Sequence, residues 1–388
     1  MKKIVLIGPA YPYRGGQALV EAYLYQELTR AGYEVNTITF TLMYPPVLFP
    51  GKTQYDQSSV VPFSHPEKIT RMINSIWPIS WWRTIRHIRR QQPDLVIFVW
   101  WMPFFAPVYW TIARGLRGRT RIVYLIENYI SHEERWFDRW ASRFCLRTAE
   151  AFICESGYVE ADLARDFPQT PCYRTTLSIY DCYDLKRYTR QEARRKLGVR
   201  HRKMILFFGL IRPYKGLANL IRAFEQVARE DPEVELWIVG ECYEDEAKYR
   251  RMIAAHPARE RIHFRNQFVP NEELEVYFKA CDVVCLPYDS ATQSGILMIA
   301  YAFGVPVVAT RVGGLPELVL PDRTGKLVEP GNPAALAGAL LEILQEDRTP
   351  YQANVRNLAA TLGYQNIPQI VADILKKPVP CPTCGEAP

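Results

Sequence analysis

The feature that most constrains this chain is an alternation of short apolar runs with helix-length segments. It fills the first half, pauses, and begins again. Ile4–Ile7 reads as a strand, and a glycine turn at Gly15-Gly16 opens a helix near Leu19–Ala31. Gly32 ends that helix and Val35–Phe40 follows as a second strand. After an irregular proline-rich stretch, a helix around Ser80–Gln91 leads to the strand Leu95–Val99. A helix near Val108–Arg114, the strand Arg121–Ile126, a helix near Glu134–Thr148 and the short strand Ala151–Cys154 complete the series. Strands alternating with helices at this spacing predict a parallel sheet covered on both faces.

The pattern stops between about Thr175 and Arg202, where polar residues, tyrosines and a basic helix (Gln191–Leu197) intervene. It restarts at Met204–Phe208 and continues through strands at Glu235–Val239, Ile262–Phe264, Val283–Leu286 and Val307–Ala309. Helices at Leu217–Arg229, Glu244–Ala255, Asn271–Ala280 and Gly295–Phe303 separate them, and more helices follow Pro333. With 388 residues, the chain exceeds one typical core. The expectation is an α/β chain of two doubly wound parallel-sheet domains, residues 1–180 and 181–361, facing across a cleft. The segment from about 362 to 388 packs back onto the first.

Lys and Arg number 48 against 41 Asp and Glu, a net +7 that suits anionic small molecules or membrane surfaces and is too diffuse for nucleic acid. Nine scattered cysteines and the lack of a secretory leader read as reduced cytosolic thiols. The opening Met1–Gly8 has too short an apolar run for a signal peptide. Cys381-Pro-Thr-Cys384 has the spacing of half a zinc site without its second half; a loose tail is the plainer reading. Leu95–Ala113 is long and uncharged enough to span a bilayer, but Pro103 and Pro107 interrupt it, favouring strand, loop and short helix. Residues 66–121 hold ten Lys and Arg, including Arg83, Arg86, Arg89 and Arg90, interleaved with six tryptophans. Cations for anionic lipid and indoles for the headgroup layer suit a peripheral contact with a membrane surface; core tryptophans and a solvated arginine face are the alternative.

Three segments in the second half point to a phosphate-bearing ligand. Phe207-Phe-Gly-Leu-Ile-Arg-Pro-Tyr-Lys-Gly216 runs from a strand into a loop with two cations. Gly209 permits close backbone approach, and Arg212 and Lys215 suit neutralisation of a diphosphate leaving group; a solvated loop reads equally well. Ser290-Ala-Thr-Gln-Ser-Gly-Ile-Leu297 opens an apolar helix whose first amides, at Ser294, Gly295 and Ile296, form a ready anion site, unless Ser294 is merely a cap. Phe303 to Glu317 ends a strand in the turn Gly313-Gly314.

The order and spacing of these segments resemble glycosyltransferase family 4, the retaining enzymes with two Rossmann-like domains known as the GT-B architecture. The resemblance runs over nearly the whole chain and is strongest from Phe207 to Val319. It implies that Lys215 holds the donor diphosphate, with Arg212 serving in place of the usual Arg position, which is Leu210 here. It implies donor contacts at Gly240, at the nucleobase edge around Phe268 and Val269, and at the glycine loop Gly15-Gly16 with Arg14 beside it. The family's paired glutamates fall on Ala291 and Ile299, so the chain resembles a subgroup without them, in which Thr292 and Gln293 take over some polar contacts. Where the family often has a His near the reacting sugar, this chain has Glu127-Asn128 and, later, His132. Glu127 would accept a proton or orient the acceptor hydroxyl.

The resemblance implies a hexosyltransferase moving sugar from a UDP- or GDP-sugar to a glycan or lipid-linked acceptor in bacterial surface polysaccharide or glycolipid synthesis. No Asp-x-Asp motif marks a metal site, and no cofactor is expected. The setting implied is cytoplasmic, peripheral on the inner face of the cell membrane. A sugar-nucleotide epimerase, phosphorylase-like chemistry and a degenerate non-catalytic glycan-binding or complex partner are the rivals.

Overall fold

In a computed structural model, the structure describes residues 1–46, 49, 53–56, 58, 65–130 and 136–376. Two compact units emerge. Described residues within Met1–Asp56, Pro62–Ser178 and Gly363–Pro388 form the first, and those within Gln57–Val61 and Ile179–Leu362 form the second.

In the first unit β1 (Lys3–Ile7), α1 (Gly16–Arg30), β2 (Glu34–Leu42) and β3 (Ile69–Asn74) build one wing. The other wing is α2 (Pro78–Gln91), β4 (Leu95–Trp100), α3 (Ala106–Leu116), β5 (Arg121–Ile126), α4 (Asp138–Leu146), β6 (Ala151–Cys154), α5 (Gly157–Asp166) and β7 (Cys172–Arg174). The seven strands are all parallel, in the order β3-β2-β1-β4-β5-β6-β7. β4 and β5 are buried along their whole length, as parallel strands covered on both faces must be.

The last helix, α14 (Ile367–Lys376), belongs to this unit and packs on α1. Its buried residues Ile367, Ile370, Val371 and Ile374 follow helical spacing. The chain leading to it is pinned where the Asn366 side chain accepts from Thr175 Oγ1 (2.7 Å) and donates to the Arg174 carbonyl (2.9 Å).

The second unit contains α6 (Arg190–Leu197), β8 (Lys203–Phe208), α7 (Leu217–Glu230), β9 (Val234–Val239), α8 (Glu246–Ala254) and β10 (Ile262–Arg265). It continues with α9 (Asn271–Ala280), β11 (Val283–Leu286), α10 (Gly295–Ala302), β12 (Val307–Thr310), α11 (Leu315–Leu318), β13 (Gly325–Val328), α12 (Pro333–Gln345) and α13 (Arg348–Ala359). Its six parallel strands run β10-β9-β8-β11-β12-β13. α7 and α12 pack together over one face and bury Leu220, Phe224, Leu336 and Leu340. Strand order reverses between β8 and β11, and the loops leaving that switch point are where such sheets hold ligands.

The proline-rich stretch hides β3, and 95–113 divides into β4, a single 3-10 turn and α3. Among the described residues no helix is long and apolar enough to cross a membrane. The basic, tryptophan-rich segment is not one surface: Trp100 and Trp101 are core, and buried Arg121 pairs with Glu150. Its exposed tryptophans, Trp77 and Trp82, lie at and on α2, as do exposed Arg83, Arg86, Arg89 and Arg90. Cys381 and Cys384 lie outside the described residues.

Candidate active site

In the second unit the site is built by backbones pressed together at the carboxyl ends of β8, β9 and β11. The Gly209 amide donates to the Val239 carbonyl (2.9 Å), and Ile211 N–H reaches the Glu241 carbonyl (2.9 Å), so pairing continues past both strands. Gly240 must lack a side chain, since a Cβ there falls 1.8 Å from the Gly209 carbonyl oxygen. Gly216 is left-handed (φ 64°), and a Cβ on it falls 1.9 Å from the Pro287 carbonyl oxygen. The Asp289 amide donates to the Tyr214 carbonyl (2.7 Å), tying the loop after β8 to the loop after β11.

Lys215 and Arg212 both lie on the tied loop. The Lys215 ammonium sits 5.3 Å from the Tyr288 ring centroid and has no carboxylate partner among the described residues. Burial pulls its pKa below the usual lysine range; the nearby Arg212 charge acts in the same direction, and Tyr214 opposes both. The Arg212 guanidinium stacks 4.8 Å from the Tyr243 ring centroid.

α10 begins at the same place. Ser294, buried, caps it by accepting from the Leu297 amide (3.3 Å), and Tyr288 Oη lies 3.4 Å from the Ser294 hydroxyl. The amides of Gly295 and Ile296 keep no acceptor among the described residues, so the Ser294 cap leaves two donors open at the helix start. Gly295 lies against the Tyr180 ring, where a Cβ falls 3.0 Å from Cε2. At Gly209, the position of a missing Cβ lies 3.0 Å from Ile296 Cδ1 and 3.5 Å from Lys215 Nζ. One point therefore faces a bare backbone, an ammonium and the side chain of Ile296 from the start of α10.

The Gly313-Gly314 turn holds the loop before α10. Gly313 is left-handed (φ 52°), a Cβ on it falls 1.5 Å from the Ala291 carbonyl oxygen, and the Gly314 amide donates to the Thr292 carbonyl (3.1 Å). Thr292 is buried and Gln293 partly so, both on this clasped loop. Ala291 and Ile299 are buried and apolar. At the β10 edge, Phe268 is exposed and Val269 buried. Nearby, Asn266 Oδ1 accepts from the Cys242 amide (2.8 Å).

The first unit brings together two carboxyl groups, one of which sequence reasoning missed. Ile126 and Cys154 are register partners on β5 and β6, so Glu127 and Glu155 leave adjacent strands side by side. Glu127 Oε1 is buried with no hydrogen-bond partner among the described residues. Burial first, then repulsion from Glu155, raises the Glu127 pKa well above the carboxylate range. Burial lifts Glu155 to about 7, against the pull of a hydrogen bond donated by Tyr364. Of the two roles expected for Glu127, a raised pKa favours orienting a hydroxyl over accepting a proton. Only the sheet register reveals Glu155; a lone Glu after a strand otherwise reads as surface.

Gly15 caps α1 with φ 109° and Gly16 begins the helix, beside Arg14, whose guanidinium lies 5.8 Å from the Phe49 ring centroid. His132 lies outside the described residues. Among the described residues no three His, Cys, Asp or Glu side chains gather as a metal site.

Comparison with known proteins finds family models for both units. The model of Glycosyltransferase Family 4 matches residues 14–174, and that of Glycosyl transferases group 1 matches 202–346. A D-inositol 3-phosphate glycosyltransferase of Corynebacterium efficiens is 35% identical over 166 residues, 41% of this chain and 39% of that protein. One from Streptomyces scabiei is 30% identical over 208 residues, 50% of this chain and 46% of that protein. The chain thus spans well under two thirds of the curated relatives it matches. Among solved structures, Anabaena HepE in complex with UDP-glucose superposes with a TM-score of 0.71 at 19% identity, covering 97% of this chain and 100% of HepE. Sucrose-phosphate synthase from Thermosynechococcus elongatus gives 0.71 at 20% identity, over 97% and 98%. These likenesses carry the GT-B fold.

Proposed function

The chain belongs to glycosyltransferase family 4, and on that premise we propose that it is a retaining, metal-independent hexosyltransferase. In this reading it takes a sugar from a UDP- or GDP-sugar and passes it to a glycan or lipid-linked acceptor in surface polysaccharide or glycolipid synthesis, at the inner face of the cell membrane. The carrying observation is that Lys215 Nζ, the bare backbone of Gly209 and Ile296, the second residue of α10, meet at one point.

The donor diphosphate is held by Lys215 and Arg212 and by the amides of Gly295 and Ile296. As the sugar–oxygen bond breaks, negative charge grows on the departing diphosphate. A partly desolvated ammonium and a helix N-terminus already face it and need no reorganisation, which is electrostatic catalysis by preorganisation. Fixed cations then supply the charge neutralisation that a divalent ion gives elsewhere. Gly240, Phe268 and Val269 are assigned to the nucleoside side; Thr292, Gln293 and Ser294 line the sugar-phosphate side. Gly15 and Gly16 stay candidates of the first unit for donor binding. Glu127, protonated, gives a hydrogen bond to a hydroxyl of the reacting partners and needs no covalent step. His132 is kept as a secondary candidate.

The apolar character of Ala291 and Ile299 favours a second reading, a non-catalytic glycan-binding or complex partner. Incubation with a panel of UDP- and GDP-sugars, followed by proton NMR of the anomeric signals, separates the two. The transferase consumes one donor and keeps the anomeric configuration in its product or hydrolysed sugar. Inverted configuration contradicts the retaining assignment, and consumption of none supports the binding partner.

A further inference from the structure

We infer that α2 and α4 together form a docking surface for a bilayer bearing anionic lipid. This deepens the proposed setting while resting on the first unit alone. Both helices pack against α3, which lies between them. Both connect strands of one parallel sheet in the same direction, so both start at its carboxyl edge.

The two helices share one design. On α2 the buried face is Ser80, Thr84, Ile85 and Ile88. Its outward side starts with Trp77 (57% exposed), Ile79 (51%) and Trp82 (60%), just after exposed Ile76, and continues with exposed Arg83, Arg86, Arg89 and Arg90. α2 carries no acidic residue at all. On α4 the buried face is Asp138, Ser142, Cys145 and Leu146. Its outward side starts with Trp136 (93%) and Trp140 (69%) and continues with exposed Arg143, Phe144 and Arg147. Each helix thus offers exposed aromatics and exposed arginines on one outward side, with Arg143 3.9 Å from Asp166.

Packing orders these side chains within each helix and joins those of α4 to α3. Trp140 stacks on Phe144 (centroids 5.6 Å apart), and Phe144 stacks on Trp110 of α3 (4.9 Å). The Arg86 guanidinium lies 5.8 Å from the Trp82 ring centroid. So many large rings on the surface of one unit are a liability unless something covers them. A protein partner would call for acidic residues to meet so many arginines and none for the rings. An anionic bilayer takes both at once: indoles settle at the headgroup level while arginines meet lipid phosphates.

The test is co-sedimentation of the full chain with vesicles of phosphatidylcholine alone or of equal parts phosphatidylcholine and phosphatidylglycerol. Binding is expected to the anionic vesicles only, and to weaken with salt. Trp82→Ser with Trp140→Ser abolishes it, while Arg86→Ala and Arg90→Ala each weaken it about fivefold, the fold-change for one cation near an anionic surface. Circular dichroism and nucleotide-induced thermal shift stay as in the parent chain, which separates failure here from failure of the donor site. No binding, equal binding to both vesicle types, or binding untouched by these variants overturns the inference. So does a dimer in sedimentation equilibrium that the Trp82→Ser, Trp140→Ser variant loses, which gives the patch to a second copy of the chain.

Discussion

The ammonium of Lys215 stands 5.3 Å from the centroid of the Tyr288 ring, in a pocket that lowers its pKa. The aromatic face compensates part of the lost hydration, and a missing anionic partner accounts for the rest of the frustration. Under the proposed function, such a charge serves the donor diphosphate at some cost to the unliganded fold.

Lys215→Met therefore splits stability from activity. The unliganded variant should melt no lower than the parent, because a desolvated charge is replaced by an apolar chain of similar length. Its kcat/KM should fall about 10²–10³-fold, the usual loss for one preorganised charge-stabilising group. Differential scanning fluorimetry and steady-state kinetics check the two halves.

Gly313→Ala tests the clasp that holds the loop before α10. Its Cβ would fall 1.5 Å from the Ala291 carbonyl oxygen at a left-handed backbone, so the loop must move. We expect a loss of about 1–3 kcal/mol of stability and weaker donor binding. Gly331→Ala is the control, with a similar φ of 70° and nothing within 4 Å. It should carry the backbone penalty alone, about 1 kcal/mol, and leave donor binding unchanged.

Glu21 is buried on α1, accepts a hydrogen bond from Thr37, and is raised to about 7 by burial. The unfolded chain releases this proton near the ordinary value of 4.5. The contribution is thus fully present below pH 4.5 and is lost as pH rises through about 7, since the folded state then binds more protons than the unfolded one. Glu21→Gln removes the titration. The stability of the parent relative to this variant should fall by up to ~3 kcal/mol between these limits, measured by urea unfolding at each pH.

Glu127 is expected to work as a neutral donor. Glu127→Gln keeps a donor and should retain activity within about tenfold, whereas Glu127→Ala should lose about 10²-fold or more. In the parent, activity falls as pH rises through the elevated pKa of the Glu127–Glu155 pair. Glu127→Gln should lack that limb in a kcat/KM–pH profile.

Strands inside the sheets were legible because burial on both faces demands unbroken apolar runs, as in Leu95–Trp100 and Arg121–Ile126. Those the pattern omits, β3, β7 and β13, all lie at sheet edges, where half-exposed strands carry Thr, Arg, Asn, Tyr and Lys and show no such run. The phosphate loops were legible through glycines, because close backbone approach admits nothing larger at Gly216, Gly240 and Gly313. Glu155 and the aromatic face of α4 were not. Their meaning depends on which residue stands beside them across a sheet or on a neighbouring helix, and one-dimensional spacing does not carry that.

Isothermal titration with UDP, GDP and ADP, and with the matching nucleosides, addresses the phosphate grip directly. We predict that one diphosphate binds the parent chain, that its nucleoside binds far more weakly, and that Lys215→Ala removes the difference between them. Equal affinity for nucleoside and diphosphate, or a diphosphate affinity that Lys215→Ala leaves intact, would contradict the account.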